Sequence, residues 1–226
     1  MFLALEEILA PDAAAAMADT LLAADWTDGR VTAGYQSAAV KHNRQLPETS
    51  ATALQLGRMV LDALSGSLLF QSAALPAAIF PPLFNRYDEG DHFGTHVDNA
   101  FRLAPDGRRI RTDLSATLFL SPLESYEGGE LVIEEGDGTR AFRLPAGHLL
   151  LYPATTLHRV APVTRGTRLA AFFWVQSLVA DAQQRAILFD MDLAMQSLRT
   201  RLGDNDPALV ALTGCYHNLL RAWGRN

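Results

Sequence analysis

Hydrophobic and polar positions along this chain follow two different periods, and the period changes twice. From Pro11 to about Asp25 an alanine-rich segment repeats at helical spacing. Ser50 to Leu69 does the same, with Leu54, Leu56, Met59, Val60, Leu61 and Leu64 near one stripe. From Ala78 onward the apolar residues gather into short runs rich in β-branched and aromatic side chains, separated by Gly, Pro and Asp. Eight strands are expected there: Ile79 to Tyr87, Phe93 to Val97, Asp113 to Leu120, Glu130 to Glu134, Arg140 to Leu144, His148 to Tyr152, His158 to Val163 and Arg168 to Gln176. After Ser177 the helical period returns over Asp181 to Leu202, and again over Pro207 to Trp223 beyond the Gly203-Asp204-Asn205-Asp206 break.

This order predicts an α+β fold, a double-stranded β-helix of jelly-roll or cupin-like type flanked by N-terminal and C-terminal helices. The expected division is a helical segment over residues 1–77 packed on the core, the core itself over 78–178, and a helical appendage over 179–226. Ile187, Leu188, Met191, Met195 and Leu198 are expected to face the barrel rather than a partner subunit. Whether the chain forms a homo-oligomer is left open.

Composition narrows the function. The 226 residues are 49% hydrophobic, ample for a core, and the net charge of −6 argues against general nucleic-acid or anionic-membrane binding, which calls for a basic surface. A small-molecule or protein side-chain substrate fits better. The apolar stretch from Met1 to Ala24 has no basic start and carries Glu6, Glu7 and Asp12, so neither a signal peptide nor a membrane span is expected. The single cysteine, Cys215, rules out an internal disulfide and any multi-cysteine zinc cluster. A reducing, cytoplasmic location fits.

The chemistry concentrates at His96-Val97-Asp98, His158 and Arg168. In a strand, side chains at i and i+2 share a face, so His96 and Asp98 aim inward while Val97 packs on the other side. His158 from a distant strand completes two imidazoles and a carboxylate, a ligand set of non-haem Fe(II) oxygenases that leaves metal positions open. Arg168 follows His158 across a turn at Thr164 to Thr167, where Gly166 is able to take φ > 0, so a hairpin is expected to return Arg168 to the metal face. Its planar guanidinium can hold a carboxylate through two hydrogen bonds, as the distal carboxylate of 2-oxoglutarate requires.

Tyr87-x-x-Gly90-x-x-Phe93-x-x-His96-x-Asp98, with Gly128-Gly129-Glu130-Leu131, His158 and Arg168, resembles the prolyl-4-hydroxylase-like Fe(II)/2-oxoglutarate dioxygenases. Arg86-Tyr87 and His158-Arg159-Val160-x-Pro162-Val163-Thr164-x-Gly166-x-Arg168 bring it closer to the bacterial PKHD-type hydroxylases, including an iron-uptake-associated branch. The resemblance implies iron ligands at His96, Asp98 and His158, and a 2-oxoglutarate anchor at Arg168. It also implies O2 as oxidant, hydroxylation coupled to formation of succinate and CO2, and L-ascorbate as an accessory. Collagen-type members carry a lysine at the anchor and often a tyrosine where this chain has Phe93, departures that argue against a peptidyl-proline substrate. Two other classes share the ligand set: a cupin-like metalloenzyme that needs no oxoacid, and a non-catalytic iron or ligand sensor.

Other residues carry weaker signals. Tyr87 either hydrogen-bonds the co-substrate or fills the core with a satisfied hydroxyl. Arg102, Arg108, Arg109 and Arg111 between Asn99 and Thr112 either meet an anionic substrate or sit on a solvated hairpin tip. Asp88, Glu89 and Asp91 read as a solvated turn, His92 as a surface residue, and His42, His148 and His217 lack companions at ligand spacing. Trp174 and Gln176 alternate with Arg168 on one strand and either line its pocket or pack in the core.

Overall fold

The computed structural model describes residues 1–32, 38–136 and 138–224. The chain opens with β1 (Leu3–Leu5), α1 (Pro11–Leu22) and the short strands β2 (Thr27–Asp28), β3 (Lys41–His42) and β4 (Arg44–Gln45). Helices α2 (Ala51–Gly66) and α3 (Leu68–Ala74) precede β5 (Pro76–Ile79), β6 (Leu83–Tyr87), β7 (His92–His96) and a hairpin of β8 (Phe101–Leu103) and β9 (Arg109–Arg111). Then come β10 (Leu114–Phe119), β11 (Tyr126–Gly128), β12 (Leu131–Glu135), β13 (Gly138–Phe142) and β14 (Leu149–Pro153). β15 (His158–Val160), β16 (Val163–Gly166) and the long β17 (Arg168–Ser177) lead into α4 (Ala182–Leu202) and α5 (Pro207–Trp223).

Side-chain chemistry sets several boundaries. The Ser50 hydroxyl accepts from the Ala53 N–H at 3.1 Å and starts α2. The single helix expected to Leu69 is broken at Ser67, whose backbone is extended and whose hydroxyl accepts from the Phe70 N–H to start α3. The single strand expected from Ile79 to Tyr87 is likewise two strands, because Pro81 and Pro82 offer no N–H to a ladder. β1, only three residues long, is too short to show a period in the sequence.

Two antiparallel sheets carry the core. The larger runs β1-β14-β10-β17-β6-β4-β2 with β5 added on β17, and the smaller runs β13-β12-β15-β7-β3. Period-two alternation sorts the faces of the larger sheet. Leu169, Ala171, Phe173 and Val175 of β17 pack outward with Met17, Leu21, Val60 and Phe70 of the helices. Each of the larger of these side chains, Leu, Phe, Val or Met, stabilises the fold by about 1.5–3 kcal/mol when fully buried. Arg168, Phe172 and Trp174 of the same strand point the other way, into a pocket shared with the smaller sheet.

The expected hairpin of His158–Val163 with Arg168–Gln176 does not form. β15 pairs with β12 and β7 in the smaller sheet, whereas β17 pairs with β10 and β6 in the larger. Pro162 lacks the N–H that would extend β15, and the chain leaves to pair as β16 with β11. Gly166 does adopt φ +75°, but the turn it makes crosses between sheets.

At the C-terminus the Asp181 carboxylate accepts from the Gln183 and Gln184 N–H groups and starts α4. Leu188 of α4 packs with Leu75, Val179 and the Tyr216, Leu220 and Trp223 side chains of α5. Ser72 of α3 donates to Asp192 of α4 at 2.6 Å. Of the positions expected against the barrel, Leu188 and Met195 are buried but Ile187 is 51% exposed, because the inward stripe of α4 turns toward α3 and α5. Among the described residues no helix is long and apolar enough to cross a membrane.

Candidate active site

Strand pairing between β7 and β15 brings the two histidines together. His96 and His158 are directly opposed in that ladder, which places their rings 4.2 Å apart between centroids. Asp98 lies two residues beyond the end of β7, and its Oδ2 accepts from the Ser115 hydroxyl of β10 at 2.5 Å. The larger sheet thus holds the carboxylate against histidines carried by the smaller one. One ligand atom from each of His96, Asp98 and His158 lies within 4.8 Å of the others, and this is the one such group among the described residues. Val97, expected to pack on the opposite face, is 49% exposed because the strand has already ended.

Both imidazoles are oriented by the same local device. Nδ1 of His96 donates to the Gly94 carbonyl at 2.9 Å, and Nδ1 of His158 to the Thr156 carbonyl at 3.1 Å. A carbonyl can only accept, so the proton is assigned to Nδ1 and the Nε2 lone pair is left for a metal. Phe93 stacks on His96 at 3.6 Å and Tyr152 meets His158 edge-on at 5.3 Å. Burial, and then the neighbouring His158, hold His96 down to about 4, so it is neutral and able to coordinate at physiological pH.

Arg168 opens β17 opposite Tyr87 of β6 and is 1% exposed. Its guanidinium lies 5.3 Å from the Tyr87 ring centroid and 5.2 Å from that of Phe119. Its Nε and Nη1 have no hydrogen-bond partner among the described residues. Buried donors of this kind are rarely left orphaned. Gly129, at φ +65°, makes room for it, since a Cβ there would stand 2.9 Å from Arg168 Cδ. Tyr87 is 1% exposed, and burial, opposed by the Arg168 charge, pushes its phenol up to about 12, so it stays a donor.

The residues singled out in the sequence divide cleanly. His96, Asp98, His158, Arg168 and Tyr87 share one pocket wall with Trp174. Gln176 does not join them, because its Oε1 accepts from the Arg111 N–H. Of the four loop arginines only Arg102 reaches the pocket; Arg108 pairs with Asp106 and Arg111 with Asp113. The acidic turn is closed by its own contacts, with Asp88 bound to Arg86 and Thr167 and Asp91 accepting from the Asp88 N–H. Sequence reasoning missed Lys41, Asn85, Ser115 and Thr117, all of which line the pocket. Ser115 and Thr117 had a visible signal, being polar at alternate positions of an otherwise apolar run. Lys41 and Asn85 had none.

The donor set suits a ferrous ion, with two neutral imidazoles and one carboxylate, and the orphaned guanidinium donors suit a carboxylate ligand. Comparisons with known proteins agree. Residues 82–176 match the family model of the 2OG-Fe(II) oxygenase superfamily, and residues 181–224 that of the PKHD-type hydroxylase C-terminal domain. A PKHD-type hydroxylase of Bordetella pertussis is 55% identical over 227 residues, covering 99% of each chain. Among solved structures, a Pseudomonas putida prolyl-4-hydroxylase superposes with a TM-score of 0.55 at 19% identity, covering 77% of this chain and 92% of its own. HygX of Streptomyces hygroscopicus, solved with nickel and 2-oxoglutarate bound, gives 0.56 at 17% identity, covering 78% and 82%. These likenesses identify the sheet pair as the double-stranded β-helix that the sequence predicts. The chain belongs to the PKHD-type hydroxylases, Fe(II)- and 2-oxoglutarate-dependent dioxygenases of the 2OG-Fe(II) oxygenase superfamily.

Proposed function

We propose that His96, Asp98 and His158 hold the iron, that Arg168 binds the distal carboxylate of 2-oxoglutarate, and that Tyr87 donates its hydroxyl to the same co-substrate. The observation that carries this reading is Arg168, a buried cation with two donors unpartnered among the described residues, in the wall that also holds the cluster of His96, Asp98 and His158. Each unmade hydrogen bond of a buried group costs about 1–3 kcal/mol. A carboxylate accepting from both nitrogens offsets that cost and brings its own charge.

Bound there with O2, iron and 2-oxoglutarate supply an oxidation in which the oxoacid becomes succinate and CO2 and one oxygen atom enters a substrate C–H bond. The chain's own residues supply the geometry. The backbone carbonyls of Gly94 and Thr156 fix the imidazole tautomers, and Ser115 steadies the carboxylate. The rings of Phe93 and Tyr152 cover the histidines and keep water from their flanks. The lone and exposed Cys215 supports a reducing cytoplasm. Likeness to the iron-uptake-associated branch supports a substrate handled in iron acquisition, with ascorbate as the accessory that the family carries.

Anaerobic titration of the Fe(II)-loaded protein with 2-oxoglutarate tests the assignment through the weak visible charge-transfer band of the keto-acid chelate. The expected result is a saturable band that is lost in His158→Ala and needs at least about tenfold more 2-oxoglutarate in Arg168→Leu, since losing even one of the two charged hydrogen bonds costs that much. A wild-type affinity in Arg168→Leu would refute the anchor, and a normal band in His158→Ala the ligand set.

A further inference from the structure

A second pair of histidines meets on β7, facing away from the pocket. Lys41 and His42 of β3 pair with Phe93 and His92 of β7. Alternation along a strand sends one of these opposed pairs to each face of the sheet. Lys41 and Phe93 line the pocket. His42 and His92 therefore lie on the outer face of the smaller sheet, His42 exposed and His92 half-buried. Along the chain His42 has no companion at ligand spacing, and the strand ladder supplies one.

The outer pair repeats the arrangement of His96 and His158. Both pairs are directly opposed across a ladder. Nδ1 of His92 donates to the Gly90 carbonyl at 3.2 Å, the same contact two residues back that His96 makes with Gly94 and His158 with Thr156. The proton is thereby assigned to Nδ1, and the Nε2 lone pair of His92 is left for a ligand. The ring centroids of His42 and His92 stand 4.6 Å apart, against 4.2 Å for His96 and His158. With metal–nitrogen bonds of about 2.0–2.1 Å, a ligating imidazole has its centroid about 3.2 Å from the ion, so two at a right angle stand about 4.5 Å apart. The groove beside His42 is lined by Asp28, Asp88, Glu89 and Asp91 as well as by Arg30, Lys41 and Arg44, so its carboxylates offset its cations.

We infer that His42 and His92 form a second metal site, on the outer face of β7, for a divalent first-row transition ion. Imidazole suits zinc, copper, nickel and iron, and of these Fe(II) binds a given nitrogen site least tightly, so the site takes zinc in preference to the ferrous ion. Two protein ligands leave the remaining positions to water, which makes the ion exchangeable. β7 then carries one ligand of each site, His92 outward and His96 inward. The inference stands apart from the active-site reading, since neither His42 nor His92 lines that pocket.

The test is equilibrium dialysis of the full-length protein, loaded with Fe(II) and 2-oxoglutarate under anaerobic conditions, against a range of free zinc. Bound zinc and bound iron are both counted by elemental analysis. The expected result is saturable binding of about one zinc per chain with the iron retained. His42→Gln and His92→Asn should each weaken that zinc at least tenfold while iron stays at its wild-type level; the asparagine keeps an N–H for the Gly90 carbonyl and removes only Nε2. His217→Gln, at an exposed histidine beside Tyr216, should leave zinc unchanged. Each variant is first matched to wild type in its melting temperature without zinc, and His42→Asn and His92→Gln replace any that fails. Zinc bound only as iron is lost, wild-type zinc affinity in either pair variant, or an equal loss in His217→Gln would overturn the inference.

Discussion

Replacing Gly129 by alanine should damage co-substrate binding without replacing any side chain that meets the co-substrate. Two effects add. At φ +65° an alanine pays about 1–2 kcal/mol for the left-handed backbone. Its Cβ would also stand 2.9 Å from Arg168 Cδ and 3.0 Å from Val163 Cγ2, against about 3.5–4.0 Å for an ordinary carbon contact. Arg168 cannot yield freely, because Tyr87 and Phe119 lie against its guanidinium, so crowding should cost a further 1–3 kcal/mol or so. The sum, about 2–5 kcal/mol, lowers the melting temperature by roughly 5–15 °C in a chain of this size. A guanidinium displaced by most of an ångström should weaken 2-oxoglutarate about ten- to hundredfold, read from the anaerobic charge-transfer titration. Gly203→Ala is the control: its φ is +83° with nothing within 4 Å, so it carries the backbone cost alone and should leave the titration unchanged. Wild-type affinity in Gly129→Ala, or equal loss in both variants, would refute the claim that this glycine exists to seat Arg168.

Two further outcomes follow from the metal site. Ser115→Ala removes the hydroxyl that donates to Asp98 Oδ2 and should lower Fe(II) affinity about 10–100-fold, measured by competition with a chelating dye; an unchanged affinity would mean that the carboxylate is held without it. In metal-free protein His96 is held down to about 4 from the 6.5 it has when unfolded, so the unfolded chain takes up the proton first. Its contribution to stability is complete above pH 6.5 and is lost as pH falls toward 4, by up to about 1.4 kcal/mol per unit for this one group. Thermal melts over that range should show a slope that His96→Gln flattens, and an unaltered slope in the variant would place the effect elsewhere.

The sequence by itself determined the kinds of elements and most of the chemistry on the wall. Period-two runs from Ile79 to Gln176 specify two-faced strands, because that rule is local stereochemistry, but it does not extend to Asp98, which lies beyond the end of β7 and meets His96 only through the way the chain leaves the strand. Gly166 was likewise readable as a turn from its own backbone freedom. Tertiary structure decided which strands are neighbours. The expected hairpin between His158 and Arg168 was wrong even though both residues do line one pocket, since they reach it from opposite sheets. Strand pairing is a choice among many distant partners, and chain proximity does not settle it once Pro162 stops the ladder. Lys41 shows the same limit from the other side. Nothing in its flanking residues marks it, and it becomes a pocket residue only because β3 pairs with β7 at Lys41 opposite Phe93. Local steric rules are written into short stretches of chain, but the burial of an ammonium or the orphaning of a guanidinium depends on what other strands bring to within a few ångströms.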